Sequence, residues 1–478
     1  MASSPSVPRS RTRRSVTCLS VLSALLSAPS FILGCGAGPA GSPAGASESQ
    51  PTAAPPIATP GDTPRDTPTT DAPDAATPET KKESPERPLN VLLILVDSMR
   101  ADMPWAGYPR EIAPNLTELE KNSVSYTRGY SISSYTAKSV GGLLAGKYPS
   151  SLRRSGYFFT KYSDSDLFFP ELLQEAGVRT LSGHAHMYMK RGNLMDQGFD
   201  DWRVVPGLDF DAKTDNHITS HKLTPMAIEQ LGTVPADKPF FMYLHYMDPH
   251  DVYMTHKEAP DWGKSARDRY DQEMFYTDIW IGKLLEHCRA QPWWSKTAVI
   301  VSADHGEGFG EHHVYRHAFA LWEMLTQVPL FIHLPEQPGR RIDTPRSAID
   351  LAPTILDLMG VEAPPGEFVG HSLVEELYGR EEPKPRPVHL DLPADSNNPR
   401  VRAMIHGDYK LMVYDKGWRK DLYNLKTDPG EKKDLAKAEP ERFKEMVELF
   451  EAEWSKIKQI QPYGGNKLVD GSYANGPS

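Results

Sequence analysis

Apolar and polar positions along this chain follow two periods. "NVLLILV" is an unbroken apolar run closed by Asp97. That is the pattern of a central parallel strand, buried on both faces, with a polar residue at its C-terminal end. It returns in "GVRTLSGHAHMY", "KPFFMYLHYMDPHDVY", "TAVIVSADHGEGFGEHH" and "VPLFIHLP". Between these runs, "DLFFPELLQEAG" and "QEMFYTDIWIGKLLEHCRA" read as helices. Alternating strands and helices predict an α/β body, a mostly parallel sheet sandwiched by helices. Toward the end the pattern changes. "VRAMIHGDYKLMVYD" and "KDLYNLKTD" predict short antiparallel strands, and "PERFKEMVELFEAEWSKIKQI" a closing amphipathic helix. The expected division is a main domain over 89–380 and a small C-terminal α+β subdomain with a tail over 381–478.

The first 88 residues carry neither period. "PRSRTRRS" is basic and "VTCLSVLSALLSAPSFIL" is apolar, the order of an export signal. It ends in "ILGC", which resembles the lipobox of a bacterial lipoprotein. In that reading residues 1–35 are the signal peptide and Cys35 is the lipidated residue. Residues 36–88 are rich in Pro, Ala and Thr and poor in large apolar residues, so they cannot offset their ordering entropy. They read as a disordered tether reaching roughly 40 Å as a flexible coil. The expected address is the bacterial cell envelope, lipid-anchored at the membrane, periplasmic or outer-membrane.

Composition narrows the partners. A net charge of −10 over 478 residues disfavours nucleic acid. Three cysteines, Cys18, Cys35 and Cys288, lack metal-ligand spacing and cannot form a disulfide framework.

The strand exits then place Asp97, Asp304 and His305 on one sheet edge, where open α/β sheets carry their chemistry. Thr136, in the hydroxyl-rich "SSYTAKSVGGLLAGKYPSS", adds an oxygen. Two carboxylates, an imidazole and a hydroxyl suit one divalent metal ion, and Zn, Mn, Mg and Ca each fit. An Asp or His at a strand end is commonly a cap or turn former. The joint occurrence with the histidines that follow is what points to metal chemistry.

"NVLLILVDSMRAD", "LLAGKYP", "GHAH", "LHYMDPH", "SADHGEGFGEHH" and "VPLFIHLP" occur in this order. So do "SAIDLAPTILDLMGVEAP" and "KDLYNLKTDPGEKKDLA". Together they resemble the sulfatase branch of the alkaline-phosphatase superfamily, from about Asn90 to about residue 455. The resemblance implies an alkaline-phosphatase-like fold and a metal held by Asp97, Asp304 and His305. The place of the family's second aspartate is Ser98, so a single ion is implied.

Ten residues before Gly146, the nucleophile position falls on Thr136. The formylglycine frame is absent, with Lys138 in its proline place and Val140 in its arginine place. Threonine cannot be oxidised to an aldehyde, because its carbinol carbon bears a methyl. Thr136 resembles instead the threonine nucleophile of phosphodiesterases and of phosphoglycerol and phosphoethanolamine transferases in the same superfamily. Ser134 and Ser139 are the next candidates. The resemblance further implies His317 as proton donor to the leaving group and His245 as a catalytic substrate contact. His184, His186 and His312 fall at substrate-binding places. Lys138 is expected to add positive charge toward the anion. His250, His313 and Glu311 lie near these in the chain. Histidine at two lysine places leans toward a phosphoester over a small aryl sulfate. The implied activity is a hydrolase or transferase of a small-molecule, lipid or glycan ester. Two alternatives stand beside it: a sulfuric-ester hydrolase of the same fold, and a lipoprotein that binds an envelope partner without turnover.

Overall fold

The computed structural model describes residues 88–186, 189, 191–208 and 218–464. The expected signal peptide, Cys35 and the tether through residue 87 lie outside the described residues, as does the tail from 465.

Eight strands form the main sheet: β1 (Asn90–Val96), β2 (Val124–Tyr126), β3 (Arg179–His184), β4 (Asp201–Val204), β5 (Phe240–Tyr246), β6 (Thr297–Ser302), β7 (Leu330–His333) and β8 (Arg340–Ile342). Their order is β8-β2-β7-β6-β1-β5-β3-β4. β1 lies inside the sheet, parallel to both β5 and β6. β3 continues the parallel array, and β7 runs antiparallel to β6 and β2. All five apolar runs are strands of this sheet. β2, β4 and β8, three or four residues each, are too short to show a period and were not anticipated.

Seven helices matter here: α1 (Pro114–Lys121), α2 (Thr136–Ala145), α3 (Phe169–Glu175), α4 (Ser220–Leu231), α5 (Ala266–Arg289), α6 (Leu351–Leu358) and α7 (Pro440–Ser455). Side chains of a strand alternate between faces, and β1 shows why its whole run is apolar. Val91, Leu93 and Leu95 enter a core with Ala137 and Val140 of α2, Phe169 of α3 and Ile355 of α6. Leu92, Ile94 and Val96 enter a second core with Leu116 of α1, Leu223 of α4 and Ile281 of α5. Each such side chain contributes about 1.5–3 kcal/mol by leaving water.

The C-terminal part is an antiparallel meander, β9 (Val388–Leu392), β10 (Val401–His406), β11 (Tyr409–Tyr414) and β12 (Arg419–Asn424). Met446, Phe450 and Trp454 of α7 pack on Met404, Leu411 and Leu422. No helix among the described residues is long and apolar enough to cross a membrane.

Candidate active site

Three neighbouring parallel strands set the geometry. Asp97 follows β1, with its amide donating to Tyr246 O at 2.8 Å. His245 sits in β5, in register with Leu95. Asp304 and His305 follow β6. Ligand atoms of Asp97, His245 and Asp304 lie within 4.8 Å of one another, and all three residues are buried. His245 Nε2 is 3.3 Å from Asp97 Oδ2 and 3.8 Å from Asp304 Oδ2. His305 Nε2 adjoins the same carboxylates, 3.6 Å from Asp97 Oδ1 and 3.4 Å from Asp304 Oδ2.

Thr136 opens α2, so its hydroxyl stands at the positive end of a helix. Oγ1 is 3.0 Å from His305 Nε2 and 3.5 Å from Asp97 Oδ2. His305 Nδ1 lies 2.9 Å from Gly306 O, a group that only accepts, so Nδ1 carries the proton. Nε2 therefore accepts from the threonine hydroxyl.

The charges are set by burial and by each other. Burial pushes Asp97 up, but the His245 ring and the charges of His250 and His305 outweigh it and hold the carboxyl well below its usual range. Asp304 is pushed up, first by burial and then by the Asp97 carboxylate. Burial alone would depress His245; the two carboxylates overcome it and raise the imidazole. His305 is depressed by burial. His245 Nε2 and Asp304 Oδ2 make no hydrogen bond among the described residues. Two buried carboxylates beside an imidazole, with ligand atoms left over, fit a divalent cation with mixed oxygen and nitrogen preference.

Around this centre stands a histidine wall. The His317 ring stacks on His305 at 4.2 Å and lies 4.9 Å from the His250 ring. His317 Nδ1 is 3.4 Å from Glu307 Oε2. Burial raises Glu307, and the charges of His317, His250 and His305 outweigh it and lower the carboxyl. His186 is 6.0 Å from His250, ring to ring, and burial holds it well below its usual range.

Several expected residues stand elsewhere. Lys138 is buried and leaves α2 on another side from Thr136, 3.4 Å from Asp395 and hydrogen-bonded to Thr160 Oγ1. Helix geometry requires this, since two residues along α2 is about 200° around its axis from Thr136. His184 is a core histidine, 2.6 Å from Ser182 Oγ and with its ring tilted against Trp202 at 3.9 Å. His312 turns outward, where a left-handed backbone (φ 49°) lays its ring on Trp322 at 3.8 Å, with Nε2 donating to Gly430 O at 2.8 Å. Ser139 Oγ bonds both the amide and the carbonyl of Ser133, a structural use. Ser98 donates to Asp97 Oδ1 at 3.0 Å. Glu311 pairs with Arg100 at 2.9 Å.

His245, expected as a catalytic substrate contact, lies in the ligand cluster itself, through its register beside the Asp97 strand, and one further participant has no counterpart in the sequence reading. Glu307 pairs with His317, and the signal was an acid two places after His305.

The sulfatase family matches residues 89–361, and the C-terminal family of N-sulphoglucosamine sulphohydrolase matches residues 310–459. An ulvan-active sulfatase of Formosa agariphila is 27% identical over 341 residues, 60% of this chain and 64% of that protein. This chain thus spans less than two thirds of that relative's length. An N-acetylglucosamine-6-O-sulfatase of Bacteroides thetaiotaomicron is 22% identical, with 81% of this chain and 90% of that protein covered. The solved phosphonate monoester hydrolase of Agrobacterium radiobacter superposes with a TM-score of 0.65 at 16% identity, covering 81% of this chain and 100% of that one. The matched fold, the ordered motifs and the family span of more than half the chain agree: this chain belongs to the sulfatase family.

Proposed function

We propose that this chain is a membrane-tethered, metal-dependent hydrolase or transferase of phosphoesters that uses Thr136 as its nucleophile. One observation carries the reading: a threonine hydroxyl, at the start of a helix and 3.0 Å from His305 Nε2, faces the buried Asp97, His245 and Asp304 cluster. Asp97, His245 and Asp304 would hold one divalent ion, Zn, Mn, Mg or Ca, with Thr136 adjoining, while His305, whose Nε2 accepts from Thr136, serves as the base in place of the ligand role that the resemblance implied. Bound there, such an ion supplies Lewis acidity that eases deprotonation of a hydroxyl and stabilises charge on a phosphoryl group.

The residues then divide the work. Thr136 Oγ1 attacks phosphorus in line, and its proton leaves along the hydrogen bond to His305 Nε2. The Thr136 O–P bond forms as the bond to the leaving alcohol breaks. The N-terminus of α2 favours the anion. His317, oriented by Glu307, gives its proton to the departing alkoxide. Water or an acceptor alcohol then attacks the Thr136 phosphoester and releases it. The named relatives are an ulvan-active sulfatase, an N-acetylglucosamine-6-O-sulfatase and, in Agrobacterium, a phosphonate monoester hydrolase. A threonine cannot supply the aldehyde nucleophile of formylglycine chemistry, which favours phosphorus over sulfur.

A panel of nitrophenyl phosphodiester, phosphomonoester and sulfate, assayed with each metal, tests this. Wild type should turn over a phosphoester, and Thr136→Ala should lose at least about 100-fold in kcat. Turnover of the sulfate alone would establish the sulfuric-ester alternative. Equal rates for Thr136→Ala and wild type would remove the nucleophile. The lipobox-like "ILGC" supports the tether: Cys35→Ala should move the protein from the membrane pellet to the soluble fraction.

A further inference from the structure

We infer that three phenylalanines packed beside the segments that carry Thr136 and His317 form a platform for an apolar group on the substrate, an aryl ring or an alkyl chain. The inference rests on the phosphoester reading above. Tyr135, the residue before Thr136, stacks on Phe158 at 4.2 Å and 23°. Phe158 meets Phe159 edge-on at 5.3 Å and lies parallel to Phe319 at 6.3 Å. Phe319 stands two residues after His317. The segments that carry the candidate nucleophile and the candidate acid therefore also carry Tyr135 and Phe319, and Phe158 and Phe159 join them from the loop that follows α2.

Phe159 and Phe319 are 43% and 52% exposed, where a Phe is ordinarily buried. The Phe319 segment is also strained. Arg316, Ala318 and Phe319 have φ of +67°, +68° and +49°, a left-handed region that L-residues enter at a cost. Two hydrogen bonds hold it, Ala318 N to Ser134 O at 2.7 Å and Phe319 N to Asn398 Oδ1 at 3.1 Å. The first ties the segment to the stretch leading into α2. A fold that strains its backbone and leaves a phenyl ring in water, two residues from the candidate acid, is prepared for a ligand. Tyr135 and Phe319 stand one and two residues from the candidate nucleophile and acid, so the inferred occupant is part of the ester under attack. Phenyl rings offer no hydrogen bonds, so they select a group that needs none.

Calorimetric titration of the full chain, in Mn²⁺ and separately in Zn²⁺ buffer, with methylphosphonate and phenylphosphonate tests this without turnover. Wild type should bind phenylphosphonate about tenfold more tightly. Phe159→Ser and Phe319→Ala should each cut that preference at least about threefold, with methylphosphonate affinity changed by less than twofold. Phe319→Leu should retain most of the preference, and unchanged thermal midpoints should accompany all three variants. Methylphosphonate binding without a phenyl preference, or a preference that survives both substitutions, overturns the platform alone. No binding of either phosphonate overturns the phosphoester reading and the platform with it. If the substitutions weaken binding to phosphatidylcholine–phosphatidylglycerol vesicles and leave the ratio intact, the patch is a membrane contact and the proposal fails.

Discussion

Glu273 sits fully buried on α5, where an ionised carboxylate is costly. Its Oε1 accepts from Met254 N at 2.6 Å, and its Oε2 is 2.9 Å from His256 Nε2. Burial dominates these partners and pushes the carboxyl to about 7, against an ordinary 4.5. A folded-state value above the unfolded one means stability that is full below about pH 4.5 and lost as pH rises through 7. At 1.36 kcal/mol per unit the loss is about 3 kcal/mol. Glu273→Gln keeps the acceptor for Met254 and removes the proton. The fall in unfolding free energy between pH 5 and pH 8, measured by urea titration, should shrink by about 2–3 kcal/mol in that variant. An unchanged pH slope would show that this group does not titrate in the window. The same physics explains what was legible around the candidate site. Asp97, Asp304 and His305 could be read because polar residues that end apolar runs stand out. His245 reads as a substrate contact and not as a metal ligand, because a ligand role depends on which residue of β1 it lies beside. Lys138 was misread because neighbours in sequence diverge on a helix surface.

Helix α1 shows the same limit for elements. It begins at Pro114 after Ala113, which has no side chain to cap it. The cap comes from α5, 162 and more residues away. Asp278 Oδ2 accepts from Asn115 N at 2.9 Å and Nδ2 at 2.8 Å, and Oδ1 accepts from Leu116 N at 2.8 Å. Since both carboxylate oxygens accept, an amide would point a donor at a donor. Asp278→Asn should therefore cost about 1–3 kcal/mol, read from the urea midpoint, and Asp278→Ala should cost no less. A loss under about 0.5 kcal/mol for both would mean that water satisfies these amides equally well. No local motif announces such a helix start. β2, β4 and β8 stayed hidden for a related reason: their place in the sheet comes from pairing with longer neighbours. The central strands, α5 and α7 announced themselves because their apolar patterns run for six residues or more.

At the scale of the molecule, a buried charge cluster joins the C-terminal sheet to the main body. Lys410 on β11 reaches Glu323 Oε1 at 2.9 Å and Glu431 Oε1 at 2.8 Å, with no exposed surface of its own. Glu323 Oε2 in turn accepts from Tyr130 OH at 3.1 Å, and Glu431 Oε2 accepts from Glu323 N at 2.6 Å. The match to the C-terminal family over 310–459 contains all three charged residues. No sequence pattern could pair positions 323, 410 and 431, because only the closed fold makes them neighbours. Burial pushes Glu431 to about 7 despite the lysine. Lys410→Met would leave two buried carboxylates without their cation, at a cost of about 3–5 kcal/mol. That cost should be full at pH 8 and smaller at pH 5.5, where Glu431 takes up a proton. The triple variant Lys410→Met, Glu323→Gln, Glu431→Gln should recover at least half of it, because removing a whole buried ionic cluster costs far less than orphaning part of it. Urea unfolding of the single and triple variants at both pH values separates the cases. A single variant as stable as wild type at pH 8 would mean that water or rearrangement solvates the two glutamates, and that apolar packing alone holds the C-terminal sheet to the body.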